Sequence, residues 1–368
     1  VLSLFLLLYG TASAEVVNDL YSAETPVAGQ GAEARAAGQR ESFAKVLVKV
    51  SGDRGLPDKS AIAKELSKAN QYVQQYAYRA LDTQTEAEPG QTIEQLDTKQ
   101  LPDRLLWVQF DETAVNRLLR SKGIPVWGKA RPLVLIWLGI DHGGRRSVLQ
   151  ADLETALYAA LEQAGDARGQ PILFPLMDLE DRANLQVSDI WGGFEEAIRR
   201  ASDRYLPDVI LVGRLRNRGG SGWEADWSLY QPDGVKHWET RGQTQLRAAT
   251  EGMHQMVDRL AARFAPRTAR GDSNLRVRVA GLNHLADYLL VKDYLSSLDT
   301  IKSLDLLSAA PSEVSFLVRV QGDRETLARG IMLGRLLEPV SSQDTKVDSG
   351  NGPVEELDEQ SLDYRLRP

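Results

Sequence analysis

The chain has 368 residues, a net charge of −7, four histidines and no cysteine. Its length suggests two or three domains. The missing cysteine excludes thiol catalysis, cysteine-ligated zinc, disulfides and a lipid-modified N-terminal cysteine. Between Ser341 and Pro368, seven acids face three bases, so this tail carries −4 and the rest only −3. No basic domain emerges, and nucleic acid is not an expected partner.

In chain order, Val1 to Tyr9 is almost purely apolar, yet shorter than the roughly 20 residues of a spanning helix. Ala12-Ser13-Ala14 follows and fits the small-residue pattern of a signal-peptidase site. Residues 1–14 are therefore expected to be a signal peptide, and the protein to be exported to the periplasm of a Gram-negative bacterium. No later run is long enough for a transmembrane segment, so the mature chain is expected to lack one.

Residues 15–128 read as an α+β domain. A strand is expected near Asp19 to Val27, and a helix over Gly31 to Val50 with Phe43, Val46, Leu47 and Val50 at helical spacing. Ser51-Gly52 is a stop signal. A second helix is expected over Asp58 to Asn70, an extended aromatic run over Tyr72 to Leu81, and a polar loop over 82–100. A strand over Arg104 to Phe110 and a helix over Glu112 to Ser121 close the domain.

Residues 129–271 read as an α/β domain ending in a β-meander. Leu133 to Ile140 is apolar throughout, as in a strand buried on both faces. A helix over Leu149 to Ala164, a strand over Ile172 to Leu176 and a helix over Gly193 to Tyr205 follow. A strand over Asp208 to Leu215 leads through glycine-rich turns into Trp223 to Tyr230 and Val235 to Leu246. A helix over Thr250 to Phe264 ends the block. Residues 274–340 read as a small ferredoxin-like β-α-β-β-α unit, and residues 341–368 as a disordered acidic tail. The fold class is thus α/β to α+β, with mixed sheets, helices packed on them, and several small domains.

Several stretches carry a resemblance. Tyr21-Ser22-Ala23-Glu24, Val46 to Asp53, Tyr72 to Tyr76, Trp127-Gly128, Pro175 to Asp178, Asp189 to Gly193 and Leu211 to Arg214 resemble a proteobacterial envelope family catalogued as domain of unknown function 2066. That resemblance implies an envelope location and no known activity. In order of elements, the middle block also resembles the N-terminal domain of the periplasmic Tol-system propeller protein. It is similar as well to lipoprotein activators of peptidoglycan synthases and to the curli secretion lipoprotein. These are binding and assembly domains, and fold alone does not fix function.

The candidate site residues fall in the middle block. Asp178, Glu180 and Asp181 cluster after a strand, where carboxylates can bind a hard cation or do acid/base work. They can equally begin a helix. Arg214, Arg216 and Arg218 alternate along one strand and share a face. They form either a cross-strand ladder with Glu224 and Asp226 or an anionic groove, such as one for a peptidoglycan stem carboxylate. Trp191 precedes two glycines in an expected loop and either packs a corner or lines a pocket. Trp223 and Trp227 are expected in the core. The histidines form no metal-binding pattern, and no serine-nucleophile motif occurs. No cofactor or metal is expected. The leading expectation is a non-enzymatic interaction or assembly factor whose partners are envelope proteins or peptidoglycan. The alternatives are a hydrolase or small-ligand-binding protein using Asp178, Glu180 or Asp181 with Arg214, and a receptor with an apolar cleft between the first two blocks.

Overall fold

The computed structural model describes residues 17, 19–81, 102–265, 272–298, 300–334, 336–340 and 361–367. The expected signal peptide, the polar loop at 82–100 and residues 341–360 lie outside these.

The first unit is a three-stranded antiparallel sheet under helices. Its elements are β1 (Ser22–Val27), α1 (Ala32–Ser51), α2 (Ser60–Leu66), β2 (Val73–Ala80), β3 (Arg104–Phe110) and α3 (Glu112–Ser121), with sheet order β1-β3-β2. Phe43, Val46, Leu47 and Val50 of α1 pack on Leu106, Val108 and Phe110. Helix α1 ends where Gly52 takes φ 69°, a left-handed conformation that glycine adopts without strain. Asp111 caps α3 by accepting from the Ala114 N–H at 2.6 Å. The helix expected over Asp58 to Asn70 is shorter, with 3₁₀ turns on either side. Ile62 is its single fully buried residue, too small an apolar face to hold a longer helix.

The second unit is a mixed sheet covered unequally on its two faces. It comprises β4 (Val134–His142), β5 (Arg145–Val148), α4 (Thr155–Asp166), β6 (Ile172–Leu173), α5 (Leu179–Asn184), α6 (Val187–Gly192), α7 (Glu195–Ser202), β7 (Val209–Asn217), β8 (Trp223–Gln231), β9 (Gly234–Gly242) and α8 (Gln245–Phe264). Strand order is β5-β4-β7-β8-β9, with β6 also on β4. Strands β4 and β7 are parallel, and β7-β8-β9 is the antiparallel meander.

Alternation assigns the faces. Val134, Ile136, Leu138, Leu211, Leu215 and Trp227 point under α4 and α8, whose Leu157, Leu161, Met253 and Leu260 complete that core. Leu135, Trp137, Ile210, Val212 and Tyr230 point to the other face, where Ile190 and Ile198 of the short helices cover them. Trp227 is buried as expected, and Trp223 packs half-buried against the same core. Three expectations are corrected. The helix expected from Leu149 begins at Thr155, because the Leu149 N–H is drawn to the Leu138 carbonyl at 2.8 Å. The strand expected to Leu176 stops at Leu173, before Pro175. The helix expected over Gly193 to Tyr205 is α7, followed by a 3₁₀ turn at Asp203–Tyr205.

The third unit comprises β10 (Asp272–Ala280), α9 (Leu285–Ser296), β11 (Ile301–Ala310), β12 (Glu313–Gln321), α10 (Arg324–Leu333), β13 (Leu337–Pro339) and β14 (Ser361–Leu366). The order β11-β12-β10-β14-β13 contains the expected β-α-β-β-α run. It departs from the ferredoxin-like pattern at one edge. β14 inserts parallel to β10 and displaces β13 outward. A disordered tail reaching Pro368 is therefore corrected over Ser361–Leu366. Leu362 and Tyr364 alternate there and are buried, which the acidic composition of the tail concealed.

Two buried arginines tie the first two units together. Arg131 is 0% exposed and donates to the carbonyls of Gly128, Arg168, Gly169, Lys49 and Trp127 at 2.6–3.0 Å. Its guanidinium also lies 4.2 Å from the centre of the Trp127 ring. Arg168 is 1% exposed and donates to the Gly52 carbonyl and the Asp258 carboxylate, each at 2.6 Å. The C-terminal end of α1 is thereby pinned to α8 and to the turn after α4.

Candidate functional site

The short helices α5–α7 cover only part of their face of the second sheet. Beyond them, Asp141 of β4, Arg146 of β5, Arg214 and Arg216 of β7, Glu224 and Asp226 of β8, and Glu239 and Arg241 of β9 form an open, charged surface. The register aligns Arg216 with Asp141 on one side and with Glu224 on the other.

The ladder reading describes two of the three arginines. Arg216 pairs with Asp226, and Arg218 with Glu224 at 2.7 Å. Arg241 reaches Glu224 from β9 at 3.3 Å. These cations hold the Glu224 carboxyl below its ordinary value, the Arg218 hydrogen bond contributing most. Arg214 stands apart. Asp226 lies opposite it in register but turns to Arg216. Arg214 donates instead to the Trp191 carbonyl at 3.3 Å, and among the described residues it has no carboxylate partner. It is half-buried on the open face.

Trp191 sits on a helix, α6, which corrects the loop expected there. Gly193 ends that helix at φ 67°. The indole lies against β4 at Gly139, where an added Cβ would sit 3.1 Å from the indole nitrogen. Arg146 lies 4.5 Å and Arg216 5.8 Å from the ring centre, so two cations hold the half-buried indole. Trp191 packs a corner against β4 and borders the open face; it does not line the recess found between the first two units.

Asp178, Glu180 and Asp181 form a different structure, with no hydrogen bond or ion pair to Arg214. Asp178 caps α5 by accepting from the Asp181 N–H at 3.0 Å. Arg204 grips Asp178 through two bonds of 2.9 and 3.0 Å and reaches Asp181 at 3.2 Å and Glu180 at 3.5 Å. Asp181, 1% exposed, also accepts from the Tyr205 hydroxyl at 2.6 Å and the Met177 N–H at 2.8 Å. The Arg204 hydrogen bonds hold Asp178 down at about 2. Burial, with Asp181, pushes the Tyr205 phenol up to about 12. These carboxylates are occupied in fixing a helix start, and Arg204 takes the position that the hydrolase reading gave to Arg214.

Sequence reasoning missed Arg146, Arg204, Tyr205 and one further pair. Ser228 and His237 are cross-strand neighbours, with Oγ and Nδ1 3.0 Å apart. Ser228 is 4% exposed and its strand's N–H groups are committed to the ladder, so a nucleophile would lack both access and an oxyanion site. Only the strand alternation signalled this pair. The other histidines are scattered: His142 contacts Glu154, His284 caps α9, and His254 lies near the Arg168 seam. Among the described residues no group of histidine and carboxylate side chains is placed to hold a metal ion, and no helix is long and apolar enough to cross a membrane.

A family described as a domain of unknown function (DUF8605) matches residues 14–128. The match spans the first unit and stops before the sheet that carries the open face. Comparison with curated proteins gives no match.

Proposed function

We propose that this chain is an exported, non-enzymatic envelope protein that recruits a carboxylate-bearing partner through the open face of its second sheet. Arg214 carries the proposal. It is a half-buried guanidinium on a rigid strand, without a carboxylate partner among the described residues, while its neighbours Arg216 and Arg218 are neutralised. A guanidinium in that state favours an incoming carboxylate or other planar anion, which it can bind through two parallel hydrogen bonds. Trp191, held between Arg146 and Arg216, gives the same face an amphipathic wall.

Export rests on the apolar N-terminal run and the Ala12-Ser13-Ala14 pattern. The motif resemblance to domain of unknown function 2066, and the similarity of the middle unit to Tol-system and peptidoglycan-synthase-activator domains, favour a periplasmic assembly role. Envelope proteins and peptidoglycan, whose stem peptides carry carboxylates, are the partner classes that fit.

In-cell crosslinking of the tagged chain, with capture from isolated envelopes and sacculi and identification by mass spectrometry, tests this reading. The expected result is a reproducible envelope partner that is lost with Arg214→Gln and kept with Arg218→Gln. Recovery of the chain alone, or a partner indifferent to Arg214, argues against it.

A further inference from the structure

The surface around Arg214 continues toward the start of α7, where three separate features converge. The first is Tyr230 of β8. It is 5% exposed, packed in the same core as Val212 and Ile198, yet its hydroxyl is not enclosed. Among the described residues that hydroxyl has no hydrogen-bond partner. The charges that act on it are Glu195, Arg214 and Arg199, so it points out of the core at this corner. Arg199 lies 5.5 Å from the Tyr230 ring centre and is spent on Glu195 at 2.8 Å. Arg214 is therefore the cation near this hydroxyl that lacks a carboxylate.

The second feature is the helix start itself. Helix α7 begins after Phe194, whose apolar side chain cannot cap it. Among the described residues, the N–H groups of Glu195, Glu196 and Ala197 have no acceptor. They form the positive end of the helix dipole. The third feature is the bare backbone between them and Arg214. A Cβ added to Gly193, at φ 67°, would lie 4.0 Å from Arg214 Nη1. Gly192 lets the Phe194 ring fold back over it, since an added Cβ would sit 2.9 Å from that ring. The ring remains 58% exposed.

We propose that Arg214, the Tyr230 hydroxyl and the N-terminus of α7 form one site for the monoanionic carboxylate at the end of a peptide chain. This rests on the reading of Arg214 given above and narrows it to a ligand class. Arg214 keeps its bond to the Trp191 carbonyl and offers its remaining N–H groups to the carboxylate. The Tyr230 O–H donates to the same group, and one carboxylate oxygen caps α7. Burial, reinforced by Glu195, raises the Tyr230 phenol above its ordinary value, while Arg214 and Arg199 oppose this. The hydroxyl thus stays a donor at neutral pH. Glu195 also sets the charge of the ligand, because its carboxylate repels a second negative charge and disfavours a phosphate dianion. A chain end carries its carboxylate directly beside a side chain, which matches Arg214 with the exposed Phe194 ring next to it.

The test is calorimetric titration of the full chain with N-acetyl trialanine, its C-terminal amide and inorganic phosphate, read alongside backbone NMR. Saturable binding of the free acid is expected, with the amide and phosphate each at least about tenfold weaker. Tyr230→Phe should weaken the acid by about tenfold and leave the melting temperature unchanged, because the hydroxyl it removes has no partner. The Glu196 and Ala197 amide signals should shift with the acid and stay in place with the amide, which a merely structural Tyr230 would not produce. The inference is overturned if the acid does not bind, if phosphate binds equally, if Tyr230→Phe binds like the parent chain, or if those two amides do not respond. Should Arg214→Gln abolish binding while Tyr230→Phe is silent, this inference falls and the reading of Arg214 stands. Should Arg214→Gln leave binding of the acid unchanged, both fall.

Discussion

The seam between the first two units and the open face of the second sheet are both built on arginine, and they use it in opposite ways. At the seam, Arg131 and Arg168 are 0% and 1% exposed, and they are held mainly by backbone carbonyls, although the Arg168 Nε–H has no partner among the described residues. On the open face, Arg216 and Arg218 pair with carboxylates in contact with solvent. Removing a buried donor strands its acceptors in a place water does not reach. Removing an exposed one leaves a carboxylate that water solvates. The same residue type therefore fixes geometry in one place and remains available for recognition in the other.

That contrast can be broken by mutation. Arg131→Ala is expected to cost about 3 kcal/mol or more, because several buried carbonyls lose their donor at about 1–3 kcal/mol each; denaturant unfolding measures this, and a loss below about 1 kcal/mol would refute the seam. Arg131→Lys should restore only part of it, since an ammonium has three donors and no planar fork. Arg168→Gln, which abandons Gly52 and Asp258, should cost about 2–3 kcal/mol in the same assay. On the open face, Glu224→Gln should cost only about 0.2–1 kcal/mol, less at high salt. A larger loss there would make the face structural.

The smallest effect concerns pH. Asp178 is held at about 2, below its ordinary 3.8, chiefly by the Arg204 hydrogen bonds. A lowered folded-state value means that this contribution is complete above the ordinary value and is lost as pH falls through about 2. Carboxyl NMR titration should show the low midpoint in the parent chain and a return toward 3.8 in Arg204→Gln.

Much of the fold was legible because local pattern and burial agree. The apolar run of β4, the glycine turns of the meander and the spacing in α1 each have one physical solution. Three features were not legible. Helix α6 is too short for a periodic signal, so Trp191 reads as a loop residue. Strand β14 is separated from its sheet by a polar stretch whose composition dominates its own alternation. The seam depends on residues distant in sequence, such as Arg168 and Gly52, which no local pattern connects. The candidate site was half legible. Alternation put Arg214, Arg216 and Arg218 on one face, but the register sets Asp226 opposite Arg214, and only the side-chain contact reveals that Asp226 turns to Arg216 and leaves Arg214 available.

The central claim is that Arg214 is held ready for a carboxylate. Its most direct test is calorimetric titration of the chain with a peptidoglycan stem peptide and with the same peptide amidated at its carboxylates. The account predicts binding of the free acid that weakens at least about tenfold on amidation and equally in Arg214→Gln, with Arg218→Gln close to the parent chain. Binding that ignores both amidation and Arg214, or no binding at all, would contradict it.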